Sequence, residues 1–172
     1  MVGEIEPTSG RISINDTDPE SFFGTFSHEA AYSGPEPLLF EGSLRENLLY
    51  GVDEIISDDK VINLLVLLGM EEWLATFEFD LNLPLIGENS IGTSSGQAQR
   101  LSIARALLRK PKLLILDEVT ANLDSKTEQQ VLGMLDLLKE ISTVIIVTHS
   151  EGMMKNADVV IDLSLGQRVG CD

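Results

Sequence analysis

The feature that most constrains this chain is an apolar run that ends in two adjacent carboxylates, since residues 113–118 read LLILDE. Such a run is typical of a strand buried on both faces of a parallel sheet. Ligands of open α/β sheets bind at the carboxyl ends of such strands, so Asp117 and Glu118 are expected at a functional edge. One acid there can hold Mg²⁺ while its neighbour polarises an attacking water. The alternative is that both acids only cap the following turn.

A helix that begins among small residues is predicted just before this strand. Residues 92–100 read GTSSGQAQR, and apolar residues then recur at helical spacing as far as Leu108. The helix should begin near Ser94 or Ser95, which leaves backbone N–H groups facing outward as a possible anion site. The same residues also fit a capping box between Ser94 and Gln97 that serves the helix alone.

A second buried strand is predicted downstream, at residues 144–147, and it ends beside His149. A histidine at the carboxyl end of a strand can hydrogen-bond a phosphate or a catalytic water. Taken alone, such a histidine is more often structural. Between the two strands, residues 120–124 predict a short loop, and Ser125–Glu140 predicts an amphipathic helix.

Shorter elements are predicted along the rest of the chain from alternation, apolar spacing and turn residues. Strands are expected at Arg11–Ile14, Ala30–Ser33 and Asp158–Leu163. Helices are expected at Ser43–Tyr50, Ser57–Leu68 and Met70–Phe79. Residues 15–20 predict a polar loop, because aspartates and a proline are common turn formers.

Composition predicts one globular domain. A domain of ~150 residues buries about two-thirds of its unfolded surface, so 172 residues with 43% hydrophobic content suffice for a core. No apolar run approaches the ~20 residues that span a bilayer. The single cysteine, Cys171, suits a reducing compartment. A net charge of −16 argues against nucleic acid or an anionic lipid surface as a direct partner.

The order of these motifs resembles the nucleotide-binding domain of ATP-binding cassette (ABC) transporters. Residues 93–97 resemble the family's signature motif, LSGGQ, and residues 113–118 resemble its Walker B strand. Residues 122–124 resemble the D-loop, and His149 resembles the switch histidine. Residues 36–48 are similar to the segment that follows the Q-loop in exporter-type cassettes. Any one motif would be a weak signal, but together in the family's order they are specific.

The resemblance implies an ATP sandwich between two cassettes that dimerise head to tail. In it, Asp117 would hold Mg²⁺, Glu118 would orient or deprotonate the attacking water, and His149 would stabilise the γ-phosphate. Asp124 would link the two sites across the dimer. A further set would contact the ATP held by the partner cassette: Ser94, Ser95, Gly96 and Gln97.

The implied fold is α/β, with a parallel-sheet core like that of P-loop NTPases and an inserted helical subdomain. One ABC ATPase-like domain would span residues 1–172, with the helical subdomain at about residues 37–90. The implied function is that of the ATP-binding and ATP-hydrolysing domain or subunit of an exporter that powers transmembrane transport. It would act in the cytoplasm, at the inner face of a membrane, through a transmembrane domain in the same or another chain.

Departures from the family pattern leave an alternative open. These residues contain no Gly-x-x-x-x-Gly-Lys-[Ser/Thr] loop, so we expect that the first part of the cassette lies before Met1 and that this part is weak or inactive alone. Pro35 stands where the Q-loop has a glutamine, and Thr93 and Ser95 replace a leucine and a glycine of the signature. The alternative is a non-catalytic, degenerate cassette that completes or regulates the ATP site of a partner.

Overall fold

The chain adopts a mixed α/β fold, described by a computed structural model over residues 7–14, 16–26, 29–87, 89–119, 125–139, 141–163 and 167–169. Its helices are α1 (Pro19–Phe26), α2 (Leu44–Leu49), α3 (Asp58–Leu67), α4 (Glu71–Ala75), α5 (Ser95–Leu108), α6 (Ser125–Leu138) and α7 (Glu151–Lys155). Its strands are β1 (Ala30–Ser33), β2 (Gly42–Ser43), β3 (Pro84–Ile86), β4 (Leu113–Asp117), β5 (Thr143–Val147), β6 (Val160–Asp162) and β7 (Gln167–Val169).

The centre of the fold is a parallel three-stranded sheet in the order β1-β4-β5. The predicted strand at residues 113–118 is confirmed as β4, the middle strand, whose Leu114, Ile115 and Leu116 are buried. β5 confirms the second predicted strand, but the expectation that it is buried is wrong. It lies at one edge of this sheet, so its residues are only half-buried or exposed.

The helix predicted just before β4 is confirmed as α5, and it packs against β1, α2 and α3. Its apolar side chains share one core with those of the neighbouring helices and of β4. Members of this core that are at most 1% exposed include Leu44, Leu48, Leu65, Leu101, Leu114 and Leu116. Among the described helices, none is long and apolar enough to cross a membrane.

Residues 44–83 lie between the two strands of a separate, short antiparallel pair, in which Gly42 of β2 lies opposite Ile86 of β3. The helices predicted in this stretch are present as α2 and α3, and Ser43 forms a full capping box with Glu46 at the start of α2. The predicted helix at Met70–Phe79 is too long. α4 ends at Ala75 because Glu78 and Phe79 adopt left-handed backbone angles.

The prediction of a strand at Arg11–Ile14 is wrong. Asp16 adopts a φ of 61°, so the chain turns back at once and Ile14 forms only an isolated bridge with Thr17. The expected polar loop also ends early, because Asp18 accepts a hydrogen bond from the Ser21 amide at 2.9 Å and starts α1. That bond lowers the pKa of the Asp18 carboxyl.

The predicted strand at Asp158–Leu163 is shorter than expected and forms half of a hairpin. β6 covers only Val160–Asp162, and it pairs antiparallel with β7, which the sequence reading did not include. The expected loop at residues 120–124 lies outside the described residues. The helix predicted after it is present as α6.

A buried asparagine fixes the segment that follows β1. The side chain of Asn47 accepts from the Phe40 amide at 3.0 Å and donates to the carbonyls of Phe40 and Ser43. Arg105 of α5 reaches the same place, since its Nε donates to the Asn47 carbonyl at 2.7 Å and its guanidinium lies 5.7 Å from the Phe40 ring centroid. Burial lowers the pKa of Arg105. The segment is therefore held to α5 through polar contacts inside the protein.

We predict that Asn47→Ala lowers the free energy of unfolding by about 2 kcal/mol, because it removes the buried side chain that satisfies the part-buried backbone groups of Phe40. Urea denaturation measures the change. Asn82→Ala is the matched control, because Asn82 is exposed and bonds only locally with Asp80, so its effect should stay within about 0.5 kcal/mol. Equal effects of the two substitutions would contradict this role of Asn47.

Candidate functional site

The carboxyl edge of the central sheet gathers the polar side chains that the motifs predicted. The register pairs Asp117 at the end of β4 with Val147 at the end of β5. Because both strands run in the same direction, the residues that follow them emerge side by side. Glu118 continues this alignment, since its amide donates to the Val147 carbonyl at 2.9 Å.

Asp117 is half-buried, and its Oδ2 accepts a hydrogen bond from the Tyr32 hydroxyl at 3.2 Å. Tyr32 comes from β1, the strand on the other side of β4. The tyrosine ring lies so close to Gly34 that a Cβ built there would stand 2.6 Å from the hydroxyl oxygen. A glycine at this position therefore allows the ring to reach Asp117.

Glu118 has an unusual backbone, with a φ of 52° in the left-handed region. A residue other than glycine, asparagine or aspartate adopts this region at an energetic cost. Its side chain is 29% exposed, and Oε1 lies 3.2 Å from Nε2 of His149. The turn directly after β4 thus places the carboxylate beside the histidine that follows β5.

His149 projects into solvent, with 95% of its side chain exposed. The backbone around it is more constrained than the ring. The Ser150 amide donates to Thr148 Oγ1 at 3.0 Å, and Ser150 caps α7 by accepting from the Met153 amide at 3.3 Å. The Ser150 hydroxyl also donates to Oε1 of Glu128, in the first turn of α6.

The predicted capping box at the start of α5 is confirmed. The backbone N–H of Gln97 donates to Ser94 Oγ at 3.2 Å, and the backbone N–H of Ser94 donates to Gln97 Oε1 at 2.8 Å. The side chains of Ser94 and Ser95 are exposed, while the Gly96 carbonyl accepts from Arg100 Nε at 3.1 Å. In this structure the side chain of Gln97 serves the helix, and the outer face of the helix start is open.

The start of α5 lies beyond the carboxyl end of β1. Two contacts fix this position: Ser33 Oγ and Ser102 Oγ lie 2.9 Å apart, and Gln99 Nε2 donates to the Gly34 carbonyl at 3.0 Å. Ser94 precedes Gln99 by more than one helical turn, so it projects past that edge. Among the described residues, no hydrogen bond or ion pair joins this turn to Asp117, Glu118 or His149.

The predicted site residues therefore form separate groups. Asp117, Glu118 and His149 meet at the sheet edge, whereas Ser94, Ser95, Gly96 and Gln97 form a separate surface at the start of α5. Asp124 lies outside the described residues. The sequence reading missed Tyr32, Glu128 and Ser150. Of these, Ser150 alone carried a local signal, because serine is a common N-cap residue and Ser150 stands directly before α7.

The oxygen donors at the edge suit a hard cation, although they do not form a complete cage. Groups of three or more potential metal-ligating side chains are absent from the part of the chain that the structure describes. Mg²⁺ bound with a nucleotide commonly uses one or two carboxylates together with phosphate oxygens and waters. Asp117 meets that requirement, because the Tyr32 contact occupies only one of its carboxylate oxygens.

A family model described as "ABC transporter" matches residues 1–121, which is more than half of the chain. The chain therefore belongs to the ABC transporter family. This confirms the resemblance that was carried by the signature-like, Walker B-like and post-Q-loop segments.

Curated relatives agree with this assignment. The chain is 36% identical over 162 residues to a multidrug resistance protein, sirA, of Leptosphaeria maculans, covering 93% of this chain and 13% of the relative. It is 32% identical over 166 residues to a multidrug resistance ABC transporter ATP-binding and permease protein of Lactococcus lactis subsp. lactis, covering 96% and 28%. It is 36% identical over 172 residues to ATP-binding cassette sub-family B member 10, mitochondrial, of Mus musculus, covering 94% and 23%.

A solved structure shares the fold. The chain superimposes on a bacterial Atm1-family ABC exporter with ATP bound, with a TM-score of 0.74, 26% identity, and coverage of 90% of this chain and 27% of the exporter chain. The expected α/β fold with a parallel sheet is thereby confirmed. Across the relatives above, the chain spans 13% to 28% of their length.

We predict that Ser94→Ala lowers the free energy of unfolding by about 1 kcal/mol, because it removes the oxygen that caps α5. Ser95→Ala is the matched control, since Ser95 is exposed at the first helical position and alanine favours helix. Thermal and urea denaturation of both variants give the comparison. A neutral Ser94→Ala would mean that the capping box contributes nothing to the fold.

Proposed function

We propose that this chain is the ATP-binding and ATP-hydrolysing part of an ABC exporter. The observation that carries the proposal is the contact between Glu118 Oε1 and His149 Nε2 at 3.2 Å, directly beside Asp117. A carboxylate that can act as a base, an imidazole that can donate a hydrogen bond to phosphate and a metal-binding carboxylate converge at the sheet edge where α/β proteins bind ligands. Family membership supports ATP as the nucleotide.

Asp117 is the residue that would hold Mg²⁺. Its partner Tyr32 fixes the orientation of the carboxylate, and such outer contacts tune a metal ligand. When bound, Mg²⁺ neutralises charge on the β- and γ-phosphates. This matters in a chain whose net charge of −16 repels ATP at long range.

Glu118 would orient the attacking water and accept its proton. Its carboxylate is partly buried, and the imidazole of His149 beside it can donate to either the carboxylate or a phosphate oxygen. Because His149 is almost fully exposed, its ring can turn towards a bound γ-phosphate without unpacking the core. The two residues would thus respond together to the presence of that phosphate.

The start of α5 would serve a second cassette. Ser94, Ser95 and Gly96 present an open helix N-terminus, where backbone N–H groups favour an anion. Since no hydrogen bond or ion pair within the described part of the chain joins this turn to Asp117 or Glu118, its ligand would be the ATP held by the partner in a head-to-tail dimer. We assign Asp124 the link between the two sites, as the family resemblance implies.

We also propose that residues 37–90 form a helical subdomain within one ABC ATPase-like domain spanning residues 1–172. Support comes from the antiparallel pair of β2 and β3, which closes the stretch containing α2 and α3. A transmembrane domain would be the other partner, which would place this domain at the cytoplasmic face of a membrane. The names of relatives that combine ATP-binding and permease parts favour that arrangement.

We predict that Glu118→Gln, in a transporter that contains this domain, lowers the rate of ATP hydrolysis by about 10²–10⁴-fold, because it removes the base and keeps the shape. ATP binding should persist, so nucleotide should accumulate on the protein. Glu151→Gln is the matched control, since Glu151 is exposed and its ion pair is with Lys155, one turn along the same helix. Near-normal hydrolysis in the Glu118 variant would reject the assignment of the base.

A non-catalytic cassette is the second candidate, and the sequence at two family motifs favours it. Pro35 is exposed and has no polar side-chain group to offer at the Q-loop position, and Ser95 adds a side chain where the signature has glycine. Such a chain would still offer the start of α5 to an intact partner. Single-turnover hydrolysis by an intact cassette, with and without this chain, separates the two functions. Stimulation that survives Glu118→Gln in this chain would favour the non-catalytic role.

A titration of the 172-residue chain with Mg-ATP by calorimetry should give no measurable heat of binding at low ionic strength. The reasons are the absence of a lysine-bearing phosphate loop from these residues and the strong negative field. Raising the salt concentration screens the field and isolates the first cause. Stoichiometric binding would show that other residues of this chain hold the phosphates.

A further inference from the structure

We propose that Glu128 and Ser150 are positioning residues that hold His149 against Glu118. The inference deepens the proposed function, because the chemical role of His149 rests on that function. The contact between the side chains of His149 and Glu118 does not rest on it. The Ser150 hydroxyl donates to Oε1 of Glu128, so a residue at the start of α6 is joined to the loop that carries the histidine.

The imidazole of His149 is not held by packing. Its side chain is 95% exposed, and its polar contact among the described residues is with Glu118 Oε1 at 3.2 Å. A ring in this situation samples several rotamers, and whether one of them reaches Glu118 depends on where the backbone places the Cα of His149. The distance to Glu118 therefore depends on how firmly residues 147–150 are placed.

On the upstream side, the sheet fixes the backbone. Val147 is paired with Asp117 in the parallel register, and its carbonyl accepts from the Glu118 amide at 2.9 Å. The ladder stops there, so Thr148 and His149 lie outside it. Without a second anchor, the loop could pivot about the end of β5.

On the downstream side, Ser150 supplies that second anchor. Its hydroxyl accepts from the Met153 amide at 3.3 Å while it donates to Glu128, and its amide donates to Thr148 Oγ1 at 3.0 Å. Both Ser150 and Glu128 are half-buried, which strengthens a charge-assisted bond relative to one in water. His149 is thus suspended between a strand end and a side-chain contact to α6.

The contact has a consequence for the order of events in the site. α6 begins directly after the segment that contains Asp124, so Glu128 ties the histidine loop to the helix that follows this segment. A displacement of the first turn of α6 would be transmitted to His149 through Ser150. Glu128 and Ser150 would then adjust the separation of His149 and Glu118 without touching the nucleotide.

The test uses nuclear magnetic resonance on the 172-residue chain labelled with ¹⁵N-histidine, without nucleotide. The sequence contains two histidines, so the spectrum of His28→Gln shows which signals belong to His149. In the other variants, which retain His28, its signals serve as an internal reference. We expect Glu128→Ala to shift the ring signals of His149, to leave those of His28 in place, and to abolish the nuclear Overhauser contact between His149 and Glu118. Gln129→Ala, an exposed neighbour on α6, should change neither histidine.

Variants at position 150 separate positioning from helix capping. Ser150→Asp keeps a good cap for α7 but sets a carboxylate against Glu128, so we expect the same shift of His149 with the Met153 amide still protected from exchange. Ser150→Thr retains the hydroxyl, so the ring signals of His149 should stay at their positions in the unsubstituted chain. Unchanged His149 signals in both Glu128→Ala and Ser150→Asp would overturn the proposal. So would a shift that occurs only when protection of the Met153 amide is lost. ATP hydrolysis is not measured, so failure of the proposed function leaves this result intact.

Discussion

The parallel pairing of β4 with β5 is the interaction on which the site depends. A change of register by one residue would turn each side chain of a strand to the opposite face. In the observed register, Asp117 lies opposite Val147, which brings the turns that carry Glu118 and His149 next to each other. Leu114 and Leu116 of β4 are fully buried in the shared core, so this strand is packed in place where it pairs with β5. Packing in the core therefore determines distances at the surface.

The helix α5 organises the other half of the protein. One helix contributes buried leucines to the core, polar contacts to the end of β1, and Arg105 to the segment around Asn47. Its N-cap residue, Ser94, and its first residue, Ser95, do not take part in this packing and are exposed to solvent. A single helix thus connects the exposed helix start with the loop after β1, and it does so through one buried and two part-buried hydrogen bonds.

How much of this could be predicted depended on the range of the interactions. β4 and α5 were evident because a long apolar run and a helical period are local signals, and the Ser94–Gln97 capping box spans only one turn. α1 was missed because its start relies on Asp18 and Pro19, which equally suit a turn. Tyr32 and Asp117 are 85 residues apart, and Glu128 and Ser150 are 22 apart, so no local pattern relates them. The rule that ligands bind at the carboxyl ends of parallel strands predicted the edge that carries Asp117 and Glu118. It could not predict that Tyr32 would contact this edge, or that Glu128 would contact Ser150.

The left-handed backbone of Glu118 has a consequence for how such domains change over time. At a φ of 52°, the backbone of asparagine, aspartate or glycine has a lower conformational energy than that of glutamate. A substitution that deletes the proposed base would thus relieve the main chain, so the fold would gain slightly while the proposed chemistry was lost. Under the proposed function, selection for stability and selection for turnover oppose each other at this position. Under that function, inactive members that remain well folded are easy to reach by a single replacement, and activity is what would maintain a glutamate here.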